Sequence, residues 1–149
     1  MRLRILATAA AGAAALISVL ATSAPANATS TVHFTKIQYN SPGPDNGSPA
    51  SLNAEYVTIK NTRSTSVSLQ NWTVRDRVGH VYTFPAFTLG AWKSVVVHTG
   101  KGTNTATNLY WGRTAYVWNN TGDAATLRNS GNTTFDSCRW GNGPGYIYC

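Results

Sequence analysis

Glu55–Asn61 reads EYVTIKN, and Leu69–Pro85 reads LQNWTVRDRVGHVYTFP. In the first stretch Val57 and Ile59 alternate with Tyr56, Thr58 and Lys60, the two-residue period of a strand with one buried and one solvated face. Just ahead of the second, Val67-Ser68-Leu69 opens a strand that Trp72-Thr73-Val74 continues with its parity shifted by one residue. Such a shift predicts a β-bulge near Gln70–Asn71, since an extra residue moves the following side chains to the opposite face. Arg75–Gly79 supplies a turn, Val81–Phe84 a short strand, and Pro85 its end.

Working outward, Thr31–Tyr39 (TVHFTKIQY) alternates in the same way and predicts a first strand. Ser41–Ser51 carries Pro42, Gly43, Pro44, Gly47 and Pro49 and reads as a loop. Lys93–His98 (KSVVVH) predicts a strand near the centre of a sheet, because three consecutive valines leave no fully polar face. Gly100–Asn108 is a loop, Tyr110–Trp118 an aromatic extended segment, and Asn119–Gly122 a turn. Ala124–Arg128 and Thr134–Trp140 form the last hairpin. Seven or eight short strands result, and no stretch of eleven residues carries a helical apolar period. The expected fold class is all-β, a sandwich or barrel. Few charged residues and many aromatics, Trp72, Trp92, Trp111, Trp118 and Trp140 among them, agree with strands and argue against disorder.

The beginning of the chain differs from the rest. Arg2 and Arg4 precede an uncharged Ala- and Leu-rich run over Ile5–Ala21, and Ala26-Asn27-Ala28 is a small-x-small cleavage pattern. This is the layout of a secretory signal peptide at residues 1–28, cleaved after Ala28. It leaves Thr29–Cys149 as one domain with no further apolar run of membrane-spanning length. Of the twelve basic residues, Arg2 and Arg4 fall in the leader. Ten remain against five acidic ones, so the net charge is +5 rather than the +7 of the whole chain. Two cysteines in an exported chain, Cys138 and Cys149, read as a disulfide that holds the C-terminal strand. A zinc site is the rival reading, weakened by the lack of a nearby His. Closing so short a ring contributes about 3 kcal/mol.

Three ordered blocks go further than periodicity. E-x-V-x-I-x-N falls on Glu55–Asn61, L-x-x-W-x-V-x-D-x-x-G-x-x-Y-x-F-P on Leu69–Pro85, and N-x-G-D-x-A-x-L on Asn120–Leu127. In this order they resemble the lamin tail domain in its secreted, stand-alone bacterial form. The resemblance implies an immunoglobulin-like β-sandwich with Trp72, Val57, Ile59 and Leu127 in its core. It also implies a binding or interaction module for which no catalytic residues carry over, and it leaves the ligand open.

The residues themselves argue the same way. The five carboxylates, Asp45, Glu55, Asp76, Asp123 and Asp136, all lie beside turns or strand ends. Asp76 and Asp123 are expected to cap turns by accepting backbone N–H groups, not to form a glycosidase pair. His33, His80 and His98 are scattered, and no zinc-protease, nucleophile-elbow or calcium-loop pattern occurs. Thr99–Thr103 (TGKGT) lacks the upstream glycine and following helix of a phosphate loop. No cofactor is expected.

Binding is the better-supported expectation. Basic residues, with Arg75, Arg77, Lys93, Lys101 and Arg113 as candidate contacts, favour a polyanion such as nucleic acid or a cell-wall polymer. Trp111 and Trp140, each followed by glycine, are candidates for exposed rings that would stack on a glycan. That makes a carbohydrate-binding module the alternative, with a small secreted hydrolase or nuclease a further one and a protein partner also open.

Overall fold

The computed structural model describes residues 30–149. The segment read as a signal peptide lies outside the described residues. Eleven strands and one short helix follow in order: β1 Val32–Gln38, α1 Pro49–Asn53, β2 Tyr56–Asn61, β3 Val67–Ser68, β4 Thr73–Arg75 and β5 Val81–Thr83. Then come β6 Thr88–Leu89, β7 Ser94–His98, β8 Asn108–Tyr110, β9 Asp123–Arg128, β10 Thr134–Trp140 and β11 Tyr146–Tyr148. A five-stranded sheet in the order β11-β1-β2-β7-β8 packs over a four-stranded sheet, β10-β9-β4-β5, and β3-β6 makes a small third sheet. Every pairing is antiparallel except β7 with β8. This is the expected all-β, immunoglobulin-like sandwich, with more and shorter strands than the seven or eight read from the sequence.

The core is the inward half of each alternation. Val32, Phe34 and Ile37 of β1, Val57 and Ile59 of β2, Val95 and Val97 of β7, and Leu109 of β8 meet Val74, Tyr82, Ala125 and Leu127 of the other sheet. Trp72 is 6% exposed and lies 4.5 Å, centroid to centroid, from Phe135. The four residues that the family blocks assigned to the core are all buried. Two links close the sandwich along one edge. The Asp136 carboxylate accepts the Phe34 N–H at 2.7 Å, and the Cys138–Cys149 disulfide, with Cα atoms 6.0 Å apart, ties β10 to the segment after β11.

The parity shift has the cause its pattern predicted. Asn71 and Trp72 both stand opposite Phe84. Asn71 donates to the Phe84 carbonyl at 3.1 Å, while Phe84 donates to the Trp72 carbonyl at 2.9 Å. Asn71 takes φ 62°, a left-handed conformation that asparagine tolerates better than most residues. The result is a bulge of the glycine-1 type. It lets the chain leave the β3-β6 sheet and enter the four-stranded one with Trp72 pointing inward. The stretch is therefore two strands in two sheets, not one continued strand.

Two further differences have local reasons. Pro49–Asn53 is helical where a loop was expected. Ser48 caps it by accepting the Ser51 N–H at 3.2 Å, and Pro49 at its start needs no donor. Five residues are too few to show a helical period. In the segment expected to be extended, only its first residue, Tyr110, is in a strand, and residues 111–122 run irregularly. Trp111, Gly112 and Arg113 still donate to the backbone carbonyls of His98, Gly100 and Thr99, whereas Val117, Trp118 and Asn119 donate to carboxylate side chains.

Tyr82 is buried with its hydroxyl unpartnered, and burial pushes that hydroxyl up to about 12. Tyr82→Phe removes the stranded polar atom and keeps the ring, which packs edge-on to Phe84 at 5.0 Å. Urea unfolding is expected to show this variant at least as stable as the parent, by up to about 1 kcal/mol. A clear loss would mean the hydroxyl has a partner, such as a bound water.

Candidate functional site

Four of the five acids, Glu55, Asp76, Asp123 and Asp136, accept backbone N–H groups. Asp76 accepts the N–H groups of Gly79 and His80 at 2.8 and 2.7 Å, and its second oxygen pairs with His80 Nδ1 at 2.5 Å. Asp123 accepts from Arg77, Ala124 and Asn119 at 3.1, 2.8 and 3.1 Å. Both behave as the turn caps read from the sequence. His98 has Nδ1 on the Asn53 carbonyl and Nε2 on the Asn108 side-chain oxygen, so both ring nitrogens are engaged within the fold.

Glu55, 1% exposed, is the most unusual group. Its Oε1 accepts from Val117 N–H at 2.9 Å, Trp118 N–H at 3.3 Å and the Thr99 hydroxyl at 2.7 Å. Burial raises its carboxyl to about 7 against those three donors. A perturbed acid is a feature of active sites, but here it clamps residues 117–118 and Thr99 onto the start of β2. Among the described residues no group of three or more His, Cys, Asp or Glu could hold a metal ion.

The basic residues read from the sequence separate into three places. Arg75 and Arg77 fall on the outer face of the four-stranded sheet, where Arg128 and Arg139 join them. Arg75 stands opposite Thr126, Thr126 opposite Ser137, and Arg139 opposite Ala124. The small side chains between the arginines leave a shallow cavity of about 240 Å³ bounded by Arg77, Arg139 and Trp140. The Asp123 carboxylate also lines it, but its charge is spread over three backbone donors. Lys101 and Arg113 instead line a separate cleft of about 200 Å³ beside α1. Lys93 is exposed in the turn before β7, next to Trp92. Among the described residues no Lys or Arg is within ion-pair distance of a carboxylate; the single such contact involves His80.

The tryptophans need a correction. Trp111 and Trp140 were expected to be exposed, but both are partly buried and packed against the core. Trp111 lies 5.8 Å from Tyr82, and Trp140 stacks on Tyr39 at 5.1 Å while donating Nε1–H to the Asn119 carbonyl. The glycine that follows each lies just past a strand end and does not turn the ring outward. Trp92, at 61%, is the exposed tryptophan. Sequence reading also passed over the tyrosines on the outer face of the five-stranded sheet. The outward parity of Tyr56 in EYVTIKN was the available signal.

Two packed, mostly antiparallel sheets with a bulge ahead of a core tryptophan make an immunoglobulin-like sandwich. The lamin tail domain family matches residues 25–142, and the chain belongs to that family. That family is in general non-catalytic. No curated protein matches the chain.

Proposed function

We propose that this protein is a secreted, non-catalytic binding module whose ligand is a phosphodiester polyanion, nucleic acid or a teichoic-type cell-wall polymer. The observation that carries the reading is the outer face of the four-stranded sheet, where Arg75, Arg77, Arg128 and Arg139 stand without carboxylate partners. Arginine presents a planar fork of donors suited to phosphate, and Thr73, Thr126 and Ser137 add hydroxyls between the guanidinium groups. One of these groups is already oriented, because Arg75 Nε donates to Thr73 at 3.2 Å. Export is supported by the leader-like residues 1–28 and by the disulfide. No helix among the described residues is long and apolar enough to cross a membrane.

The test is retention of duplex DNA and of teichoic acid as a function of salt. Each phosphate neutralised steepens the log–log slope by about 0.9 on DNA. Arg75→Ala and Arg139→Ala are each expected to reduce that slope by about 1, and Lys101→Ala, in the other cleft, to leave it unchanged. Retention indifferent to salt, or slopes unaltered by both arginine variants, would refute the reading.

A further inference from the structure

We infer that the outer face of the five-stranded sheet is a second binding site, for a single chain of β-1,4-linked polysaccharide. Strand register carries the argument. Tyr146 of β11, Gln38 of β1, Tyr56 of β2, His98 of β7 and Tyr110 of β8 are direct cross-strand partners, so one row of side chains crosses the whole sheet. In the adjacent row Tyr148 pairs with Lys36, and Lys36 with Thr58. All of these point away from the core, because their neighbours Ile37, Val57, Val97 and Leu109 point into it.

Tyr148 and Tyr146 are 71% and 41% exposed, so their rings cover little of the protein itself. They meet edge to face at 5.7 Å, and Lys36 Nζ sits 5.2 Å from the Tyr146 ring and 5.4 Å from that of Tyr56. At the far end Tyr110 is stacked on His98 at 4.9 Å, with Gly102 so close to it that a Cβ there would overlap the ring. The row is thus open over β11 to β2 and bounded at β8.

Spacing and chemistry select the ligand. Tyrosines on β11 and β2 are two strands apart, about 10 Å, close to one disaccharide step of an extended β-1,4-linked chain. Equivalent apolar faces of alternate sugars would therefore meet successive tyrosines. Gln38 Nε2 donates to the Asn40 and Gly145 carbonyls, which leaves its Oε1, together with the Thr58 hydroxyl, as uncharged polar groups suited to sugar hydroxyls. A nucleic acid would need a line of free cations to follow its phosphates. Here the central ammonium is held against rings and donates to the Tyr56 hydroxyl at 3.0 Å. The rings are not coplanar, with Tyr56 and His98 inclined by 60°. That geometry suits one chain rather than a flat crystalline surface. The family match ends at residue 142, before β11, so Tyr146 and Tyr148 lie outside the matched residues.

The experiment is affinity electrophoresis of the whole domain in gels holding hydroxyethyl cellulose, xylan or glycol chitin. At least one is expected to retard the protein to a degree insensitive to salt. Tyr146→Ala and Tyr148→Ala should each weaken that retardation about tenfold, with the melting temperature of Tyr148→Ala unchanged. Arg139→Ala should leave the retardation intact, so failure here is separable from failure of the polyanion reading. Retardation by none of the three polymers, or retardation of both tyrosine variants equal to that of the parent, overturns the inference. So does single-stranded DNA being the only ligand that Tyr148→Ala loses, because the face would then stack bases.

Discussion

Glu55→Ala is expected to unfold at markedly lower urea concentration than the parent, by about 3 kcal/mol or more. It strips the acceptor from two buried backbone N–H groups and the Thr99 hydroxyl, and each stranded donor costs about 1–3 kcal/mol. Glu55→Gln keeps an oxygen acceptor and removes the charge, so it separates the clamp from the acid. Burial lifts the carboxyl from 4.5 in the unfolded chain to about 7 in the fold. Between those values the folded state binds more protons than the unfolded one, so stability falls as pH rises. The contribution is fully present below about pH 4.5 and is lost by about pH 7, a difference of roughly 3 kcal/mol at 1.36 kcal/mol per unit. Urea unfolding of parent and Glu55→Gln at about pH 4.5 and about pH 8 isolates it. The parent should lose stability relative to Glu55→Gln on going to the higher pH. A constant difference between the two would show that Glu55 titrates normally.

Trp72→Ala is expected to cost about 3–5 kcal/mol, the range for emptying a buried aromatic site. That is a large share of the stability of a domain this size. The ring is 6% exposed, lies against Phe135 of β10 and hangs from the bulge that redirects the chain between sheets. The cavity would therefore open between β4 and β10. Trp72→Phe should recover a substantial part of the loss in thermal melts. Equal loss in both variants would place the importance of the residue in the indole rather than in the filled volume.

The parts of this fold that were legible in the sequence are those set by nearest neighbours. The alternation in EYVTIKN put Val57 and Ile59 inside because a strand reverses its side chains every residue. The slip between Leu69 and Trp72 announced a bulge for the same reason. Asp76 and Asp123 were readable as caps because a short carboxylate reaches the N–H groups a few residues away. Pro49–Asn53 escaped because a single capped turn has no period to detect. Trp111 and Trp140 were misplaced because the glycine after each reports on backbone and says nothing of which side of the sandwich the ring meets.

The sequence by itself determined the all-β class, the family, the inward set of residues and the identity of the cysteine pair, because each is encoded in local alternation or in short motifs. Only the tertiary structure decided which charges and rings share a surface. Arg75 and Arg139 lie far apart in the chain, and Tyr56 is farther still from Tyr146. They meet because β4 and β10 both flank β9, and because β2 and β11 both flank β1. Strand order is set by how two sheets bury their apolar faces together, an energy summed over the whole core that no single segment carries.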